Sequence, residues 1–199
     1  GIGAGLHSFT TTTFTGAELT NATITNNLIG PVSHTNGTFS AAGILLAQAT
    51  SGTNLIANNM VHSVTGVGIT AGIAAGGGIG SVTRIHGNSV SMTGPFGGTQ
   101  PHFALALIGP SSTTDVRNNV LVNTETSGAA KKYAIGLGWA GTPGGYADLI
   151  SDHNALYAAG SASSRLAVTG GIATGTDRAT LVDWYTETGR DFPSVSVNV

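Results

Sequence analysis

The sequence contains no cysteine, so neither disulfides nor thiolate metal sites contribute to its stability. It also has little charge, because Asp, Glu, Lys and Arg make up only 8% of its 199 residues, against roughly a quarter in an ordinary soluble domain. The seven Lys and Arg residues are scattered, and the formal net charge is −2. Nucleic-acid-binding proteins need a basic surface that neutralises phosphates. We therefore expect no nucleic acid partner.

Long hydrophobic runs are missing as well. The most apolar region, residues 67–79, is broken by Gly68, Gly72 and the glycines at 76–78, and it falls short of the roughly 20 apolar residues of a transmembrane helix. We therefore expect no membrane span. Since 40% of the residues are hydrophobic, the chain differs from a disordered one and is predicted to form one folded domain. Low charge combined with abundant Thr, Ser, Asn and Gly favours an extracellular or cell-surface location.

A repeat of about thirty residues runs through the chain. Five segments contain an anchor asparagine followed two positions later by an aliphatic residue, and in four of them another aliphatic residue lies three positions earlier. The anchors are Asn27, Asn59, Asn88, Asn119 and Asn154, spaced 32, 29, 31 and 35 residues apart. This pattern predicts two short strands per repeat, joined by a bend at which the anchor adopts a left-handed backbone conformation.

A third strand in each repeat is predicted from short apolar runs at residues 43–47, 66–70, 103–107 and 133–137. Helices are not expected, because glycine and β-branched residues interrupt every stretch and a 3.6-residue period is almost absent. An antiparallel meander is the alternative, although it does not explain an asparagine at a thirty-residue period. The sequence thus predicts an all-β fold, a parallel β-helix of five to six coils over residues 1–178.

Between residues 21 and 157 the chain resembles the right-handed parallel β-helix repeat proteins, the pectin-lyase-like architecture of secreted and cell-surface bacterial proteins. The resemblance lies in the Ile-x-Asn-Asn-x-Ile motif, seen at residues 24–29. In that family the corner asparagines stack as a ladder, in which each side-chain amide bonds to the coils above and below. The resemblance implies this structural role for the five anchors and says little about function.

Residues 179–199 are predicted to close the carboxyl end of the solenoid. Thr180 and Asp183 form the start of a capping box, and Gly189 ends the helix, which we place at about residues 181–188. Trp184 is expected to plug the core, and residues 190–197 are expected to form a turn and a closing strand.

At the amino end, Phe9 and Phe14 alternate with the threonines of residues 10–15 like an edge strand. A solenoid exposes unpaired strand edges unless its ends are covered. The abrupt termini therefore favour a piece of a longer chain.

Few residues are candidates for catalysis. By the resemblance, enzymes of this architecture include lyases, which use an Arg or Lys base beside acidic residues that hold calcium, and hydrolases with paired carboxylates. Asp152, next to His153, and Lys132 are the candidates here. The nine acidic residues do not cluster, and the six histidines lack the spacing of a zinc site. We expect no metal and no cofactor, with calcium needed only if the protein is a lyase.

Aromatic residues, lysines and glycines coincide between residues 131 and 146. Lys131, Tyr133, Trp139 and Tyr146 are the candidates for a ligand-binding face, although Tyr133 and Trp139 also fit the end of a core strand. The expected partners are glycans or other copies of the chain. The sequence favours an extracellular structural or adhesive module of a bacterial surface or filament protein, with weak glycan binding. The alternative is a polysaccharide lyase or glycoside hydrolase that acts on an acidic polysaccharide.

Overall fold

The structure is a computed structural model that describes residues 20–35, 40–49, 51–78, 80–96, 98–126, 128–141 and 145–197. These residues form eighteen short β-strands and one α-helix. In chain order the elements are β1 (Thr23–Thr25), β2 (Leu28–Ile29), β3 (Val32–His34), β4 (Ala41–Ala49), β5 (Gly52–Ala57), β6 (Met60–His62), β7 (Val64–Gly66), β8 (Thr70–Gly77), β9 (Ser81–His86), β10 (Ser89–Met92), β11 (His102–Gly109), β12 (Thr113–Arg117), β13 (Val120–Asn123), β14 (Lys132–Leu137), β15 (Leu149–Asp152), β16 (Ala155–Ala158), β17 (Ser164–Thr169), β18 (Thr176–Arg178) and α1 (Leu181–Thr188).

Three sheets are built from strands of successive repeats. The first has the order β1-β5-β9-β12-β15, the second β16-β13-β10-β6-β2 and the third β18-β17-β14-β11-β8-β4, while β3 and β7 form a separate pair. Neighbouring strands are parallel, except that β18 runs antiparallel to β17 at the end of the third sheet. The prediction of an all-β parallel solenoid with a short carboxyl-terminal helix is confirmed, with about four turns. Right-handed winding and a total of five to six coils stay predictions.

The hydrophobic core fills the interior of this solenoid. In the first sheet Ile56, Ile85 and Val116 lie in register on successive strands, and each is fully buried. Alternate residues of a strand point to opposite faces, so one residue of each repeat falls into the same interior column. Burial of each such side chain stabilises the fold by about 1.5–3 kcal/mol.

The five anchor asparagines stack at the corner between the first and second sheets. From Asn27 to Asn119, each side-chain Nδ2 and each backbone N–H donates to the Oδ1 of the next anchor, over 2.9 to 3.1 Å. The same amides also donate to backbone carbonyls, as Asn88 Nδ2 does to Ile56 O at 3.0 Å. These bonds give the buried amide groups their partners.

The left-handed residue of each bend is the one before the anchor, so its predicted position was wrong by one residue. The five residues and their φ angles are Asn26 (58°), Asn58 (54°), Gly87 (64°), Asn118 (57°) and His153 (54°). The anchors themselves are not among the residues with positive φ, and the N–H of each anchor from Asn27 to Asn119 donates to the next Oδ1. The preceding residue therefore makes the bend, and Asn and Gly adopt this conformation most readily.

The predicted strand at residues 66–70 was also wrong. Strand β7 ends at Gly66, residues 67–69 bend, and the third-sheet strand of that repeat is β8, which begins at Thr70 in register with Ala41 and His102. In the sequence, the glycines within β8 interrupt the run of apolar residues. At Gly72, however, the interior is so close that an added Cβ would overlap the Val90 side chain, which explains why a strand carries glycine there.

The carboxyl-terminal cap ends the asparagine ladder with a carboxylate. Asp191 is 1% exposed, and its Oδ1 accepts hydrogen bonds from Asn154 Nδ2 at 2.9 Å and Ser194 Oγ at 2.5 Å. Its Oδ2 accepts from the indole N–H of Trp184 at 2.8 Å, and Trp184 is the fully buried residue of α1 that packs into the core. The Thr180 and Asp183 capping box begins α1. One carboxylate thus joins the ladder, the core and the capping helix.

Beyond α1, the expected closing strand is reduced to one parallel bridge between Val195 and Ala155. The expected edge strand at residues 9–15 lies outside the described residues. No helix in the described ranges is long and apolar enough to cross a membrane.

A substitution at the middle of the ladder tests its contribution. We expect Asn88→Ala to lower the free energy of unfolding by about 2–4 kcal/mol, because it removes the acceptor of Asn59 and the donor to Ile56 O inside the protein. Urea unfolding measures the change as a lower midpoint at an unaltered slope. The control is Ser89→Ala at the next, exposed residue, with a change below about 0.5 kcal/mol. Equal effects of the two substitutions would contradict a stabilising ladder.

Candidate functional site

A cleft of about 460 Å³ opens beside the carboxyl-terminal cap. One wall comes from the loop after β14 and the other from the end of α1. The lining residues are Gly141, Gly145, Tyr146, Thr186, Glu187, Thr188 and Gly189. A Cβ added at Gly141 would lie 2.7 Å from the ring of Tyr146. Glycine at this position therefore lets the ring pack directly on the loop backbone.

Glu187 supplies the negative charge of the cleft. Arg178 Nη2 lies 2.7 Å from its Oε2, and Tyr146 Oη donates to its Oε1 over 3.3 Å. The Glu187 side chain nevertheless stays 32% exposed. Burial raises the pKa of Tyr146 above its ordinary value, so the phenol keeps its proton at neutral pH. The cleft thus offers the exposed part of the Glu187 carboxylate, which the buried Tyr146 phenol helps to hold in place, and a carboxylate acceptor suits ligand hydroxyl groups.

The cap holds both walls of the cleft in place. Arg190 Nη2 donates to Tyr146 O at 2.9 Å, which holds the backbone at Tyr146, and Arg190 N donates to Thr188 Oγ1 at 3.1 Å. Thr188 in turn donates to Trp184 O within α1. The cleft therefore depends on the same cap that ends the asparagine ladder.

Among the described residues that line the cleft, Glu187 alone carries a carboxylate. Within the part of the chain that the structure describes, no three His, Asp or Glu side chains are grouped so as to hold a metal ion.

The four predicted ligand-binding residues fall into two separate places. Tyr146 and Trp139 pack with the interior core, and Tyr146 also lines the cleft. Tyr133 instead stacks on Phe103, with ring centroids 5.0 Å apart, in a second apolar cluster on the outer side of the third sheet. Tyr133 and Tyr146 are each only 2% exposed, so protein covers both rings. Of the four predicted residues, Tyr146 is the one that the structure places in the cleft lining.

Lys131 and Tyr133 meet at Asp177 on β18. Lys131 Nζ lies 2.8 Å from Asp177 Oδ2, and Tyr133 Oη donates to Oδ1 at 2.8 Å. Partial burial alone would raise the pKa of Asp177, but the hydrogen bonds from Lys131 and Tyr133 outweigh it and hold the pKa below its usual value. These contacts fasten the antiparallel strand β18 to the edge of the third sheet.

The two catalytic candidates do not share a surface. Asp152 lies at the end of β15 on the outer face of the first sheet, where its Oδ2 is 3.3 Å from His153 Nδ1. Lys132 is fully buried at the start of β14, and its Nζ donates to Gly128 O at 3.0 Å. A base and an acid that act on one substrate must both reach it. This pair does not meet that requirement.

The outer face of the first sheet carries further charged residues near Asp152. Arg117 holds Asp115 through two hydrogen bonds, Nε to Oδ1 at 2.6 Å and Nη2 to Oδ2 at 2.7 Å, and His86 Nε2 lies 3.2 Å from Oδ1. Burial alone would raise the pKa of Asp115, but Arg117 and His86 together lower it. Asp115 therefore remains an ionised partner of Arg117 at neutral pH.

Glu187, Arg178 and Asp191 were not predicted from the sequence. Glu187 had no local signal, because it lies in a helix assigned only to capping, and its role follows from the loop packed beside it. Asp191, in contrast, did have a signal in the sequence. It follows the last anchor by 37 residues, close to the repeat length, and so continues the series of corner residues with a carboxylate.

Comparison of the chain with protein family models, with curated proteins and with solved structures found no match.

The Asp177 cluster predicts a pH-dependent stability. A carboxyl with a lowered folded-state pKa stabilises the protein above its unfolded value of about 4, and this contribution is lost as the pH falls through the folded-state value. We expect Asp177→Asn to be less stable than the parent at pH 7 and the difference to shrink below about pH 4. Urea unfolding at several pH values measures it, with Asp152→Asn as the control. A constant difference across the pH range would contradict this role of Asp177.

Proposed function

We propose that this chain is an extracellular structural and adhesive module, a right-handed β-solenoid of the pectin-lyase-like type from a bacterial surface or filament protein. Its ligand is a glycan held in the cleft between the loop after β14 and α1. The observation that carries the proposal is the pairing of Tyr146 and Glu187 in the cleft lining.

The volume of the cleft supports a small saccharide unit. At about 460 Å³, it lies in the range of small-molecule sites, roughly 300–1,000 Å³. The exposed part of Glu187 offers acceptor capacity to sugar hydroxyls, while Arg178 keeps the carboxylate ionised and oriented. The short connections between the solenoid and the cap add rigidity, which lowers the entropic cost of binding.

The solenoid itself supports the structural half of the proposal. Hydrogen bonds link each coil to the next through the anchors, and a single core runs through the repeats. In such a stack each coil contacts its neighbours, so the repeats form an extended scaffold. A module of this kind can hold a binding cleft at a fixed distance from a surface.

A glycan array with the purified chain tests the function. We expect binding to a subset of glycans and a loss of about 10-fold or more in affinity for Glu187→Gln, since a hydrogen bond to a charged group contributes about 1.5–3 kcal/mol. Tyr146→Phe should weaken binding too. The matched control is Asp152→Asn, which removes a carboxylate from the outer face of the first sheet and should bind like the parent. Thermal unfolding of each variant separates lost binding from lost folding.

Two results would overturn the proposal. One is the absence of binding to every glycan on the array and to surface polysaccharides presented at high density. The other is turnover of polygalacturonate or alginate in the presence of calcium, followed as unsaturated products or reducing ends. Turnover that is lost in Asp152→Ala or Lys132→Ala would establish the enzyme instead.

A further inference from the structure

The outer face of the second sheet carries two columns of uncharged side chains. Val61, Val90, Leu121 and Leu156 of this sheet are buried in the core, so the residues before and after each of them point outward. In register, the first column consists of Leu28, Met60, Ser89, Val120, Ala155 and Val195, and the second of His62, Ser91, Val122 and Tyr157. Neither column contains Asp, Glu, Lys or Arg. We call these two columns the apolar face.

Large apolar side chains on this face are open to solvent. Leu28 is 71% exposed, Met60 59% and Val195 48%. The outer face of the first sheet differs, because charged residues such as Arg84 and Asp115 lie there in register. Contiguous exposed apolar surface of this kind marks an interaction site. The apolar face is therefore the side of the solenoid that is suited to packing against another surface.

A hollow of about 170 Å³ lies in the middle of the apolar face. Its lining includes the small side chains of Ser89 and Ser91 on β10, with Met60 on the neighbouring strand β6 and Val120 and Val122 on the opposite neighbour β13. The face thus has a low centre between higher rows. A partner surface must offer side chains of matching size at matching spacing to fill it.

Side-chain size along the first column fits a reversed copy of the same face. Leu28 and Met60, at the amino end of the column, are its largest members, and Ser89 and Ala155 are its smallest. A half-turn about an axis that runs parallel to the strands, between β10 and β13, reverses the order. Leu28 then lies opposite Val195 of the second copy, Met60 opposite Ala155, and Ser89 opposite Val120. Each larger side chain thereby meets a smaller one.

The second column gives the same result. The half-turn places His62 opposite Tyr157 of the second copy and Ser91 opposite Val122. Strands of the two copies have the same spacing of about 4.8 Å, so the rows stay matched along the whole face. A partner without this spacing matches only a few rows.

We propose that the apolar face is the interface of a homodimer, in which two copies pack face to face through their second sheets and run in opposite directions. Sheets that pack in this way lie about 10 Å apart. The interface is isologous, since the same patch is used by both copies. The absence of charge from the face means that packing requires no desolvation of an ion.

The dimer is expected to be weak. The apolar face is narrow, and interfaces that bury less than about 1,200 Å² in total belong to weak or transient complexes. We therefore expect a Kd in the micromolar range. The interface uses neither the cleft nor α1, so it stands or falls separately from the proposed function.

The reactivity of a single thiol tests the dimer. The chain has no cysteine, so Ser89→Cys supplies one exposed thiol in the centre of the face. The variant is held at about 1 µM and treated with a maleimide, while the cysteine-free parent chain is added up to about 300 µM. We expect the reaction to slow by a factor of about 1 + [parent]/Kd, reaching about 5-fold or more. Sedimentation velocity of the parent should show the change from monomer to dimer over the same range.

Three variants are matched controls. A parent chain that carries Met60→Lys should no longer protect the thiol, because it places a charge in the interface. Val182→Lys changes a residue of α1 that is 71% exposed, and it should protect like the parent. The thiol of Arg84→Cys, on the outer face of the first sheet, should react at a rate independent of the parent concentration.

Four results would overturn the proposal. A fast reaction of the Ser89→Cys thiol at every parent concentration would show that a second copy does not cover the face. A slow reaction without added parent would show that residues of the same chain cover it. Protection that survives Met60→Lys would place the contact elsewhere, and protection that is lost with Val182→Lys would place it at the cap.

Discussion

The hydrogen bonds among the stacked asparagines set the register on which the rest of this structure depends. From Asn59 onward, each anchor presents its side-chain carbonyl oxygen to two donors of the anchor before it. A shift of one coil by a single residue would therefore leave buried amide groups without partners. A shift by one residue would also turn the aliphatic side chains of a strand out of the core. The ladder and the core therefore select the same register. Loops of different length can be inserted elsewhere in a coil without disturbing it.

The carboxyl end of the asparagine ladder determines where the cleft lies. At its carboxyl end the acceptor is Asp191, whose two oxygens also hold Trp184 and Ser194. The helix positioned by this carboxylate brings Glu187 to the loop that contains Tyr146. The cleft is thus a consequence of how the solenoid is closed. The three sheets position the loop, and the cap supplies the charged residue.

Charge is rare in this chain, and its placement follows two patterns. On the outer faces of the sheets, Asp115 and Asp177 pair with a neighbouring arginine or lysine, and their contacts fasten strands. Inside, Lys132 and Glu125 are both fully buried, with no ion pair between them within 4.0 Å in the described residues, and Glu125 pairs with His102 at 2.8 Å. Direct ion pairs offset the lost solvation in the first arrangement, whereas Lys132 loses its solvation without such a partner.

The thirty-residue period and the alternation of aliphatic residues were sufficient to predict the fold. Parallel stacking forces equivalent residues of every coil into one column, so the sequence repeats whatever the column requires. The capping helix could be predicted for a similar reason, since Thr180, Asp183 and Gly189 act within a few residues of one another. The bend position and strand β8 were misplaced, because the conformation of Gly87 and the glycines of β8 answer to neighbouring coils.

The site was less predictable. By itself the sequence determined the coil, its register and the helix at its end, because these depend on patterns that are local or periodic. Only the tertiary structure decided that Tyr133 packs in the second apolar cluster while Tyr146 borders the cleft. It also decided that Asp152 lies on the first sheet and Lys132 on the third, and that Glu187 and Asp191 hold the cleft and the cap. Those outcomes depend on contacts between residues some 40 positions apart that occur once in the chain, as between Tyr146 and Glu187. A contact that is not repeated leaves no period in the sequence.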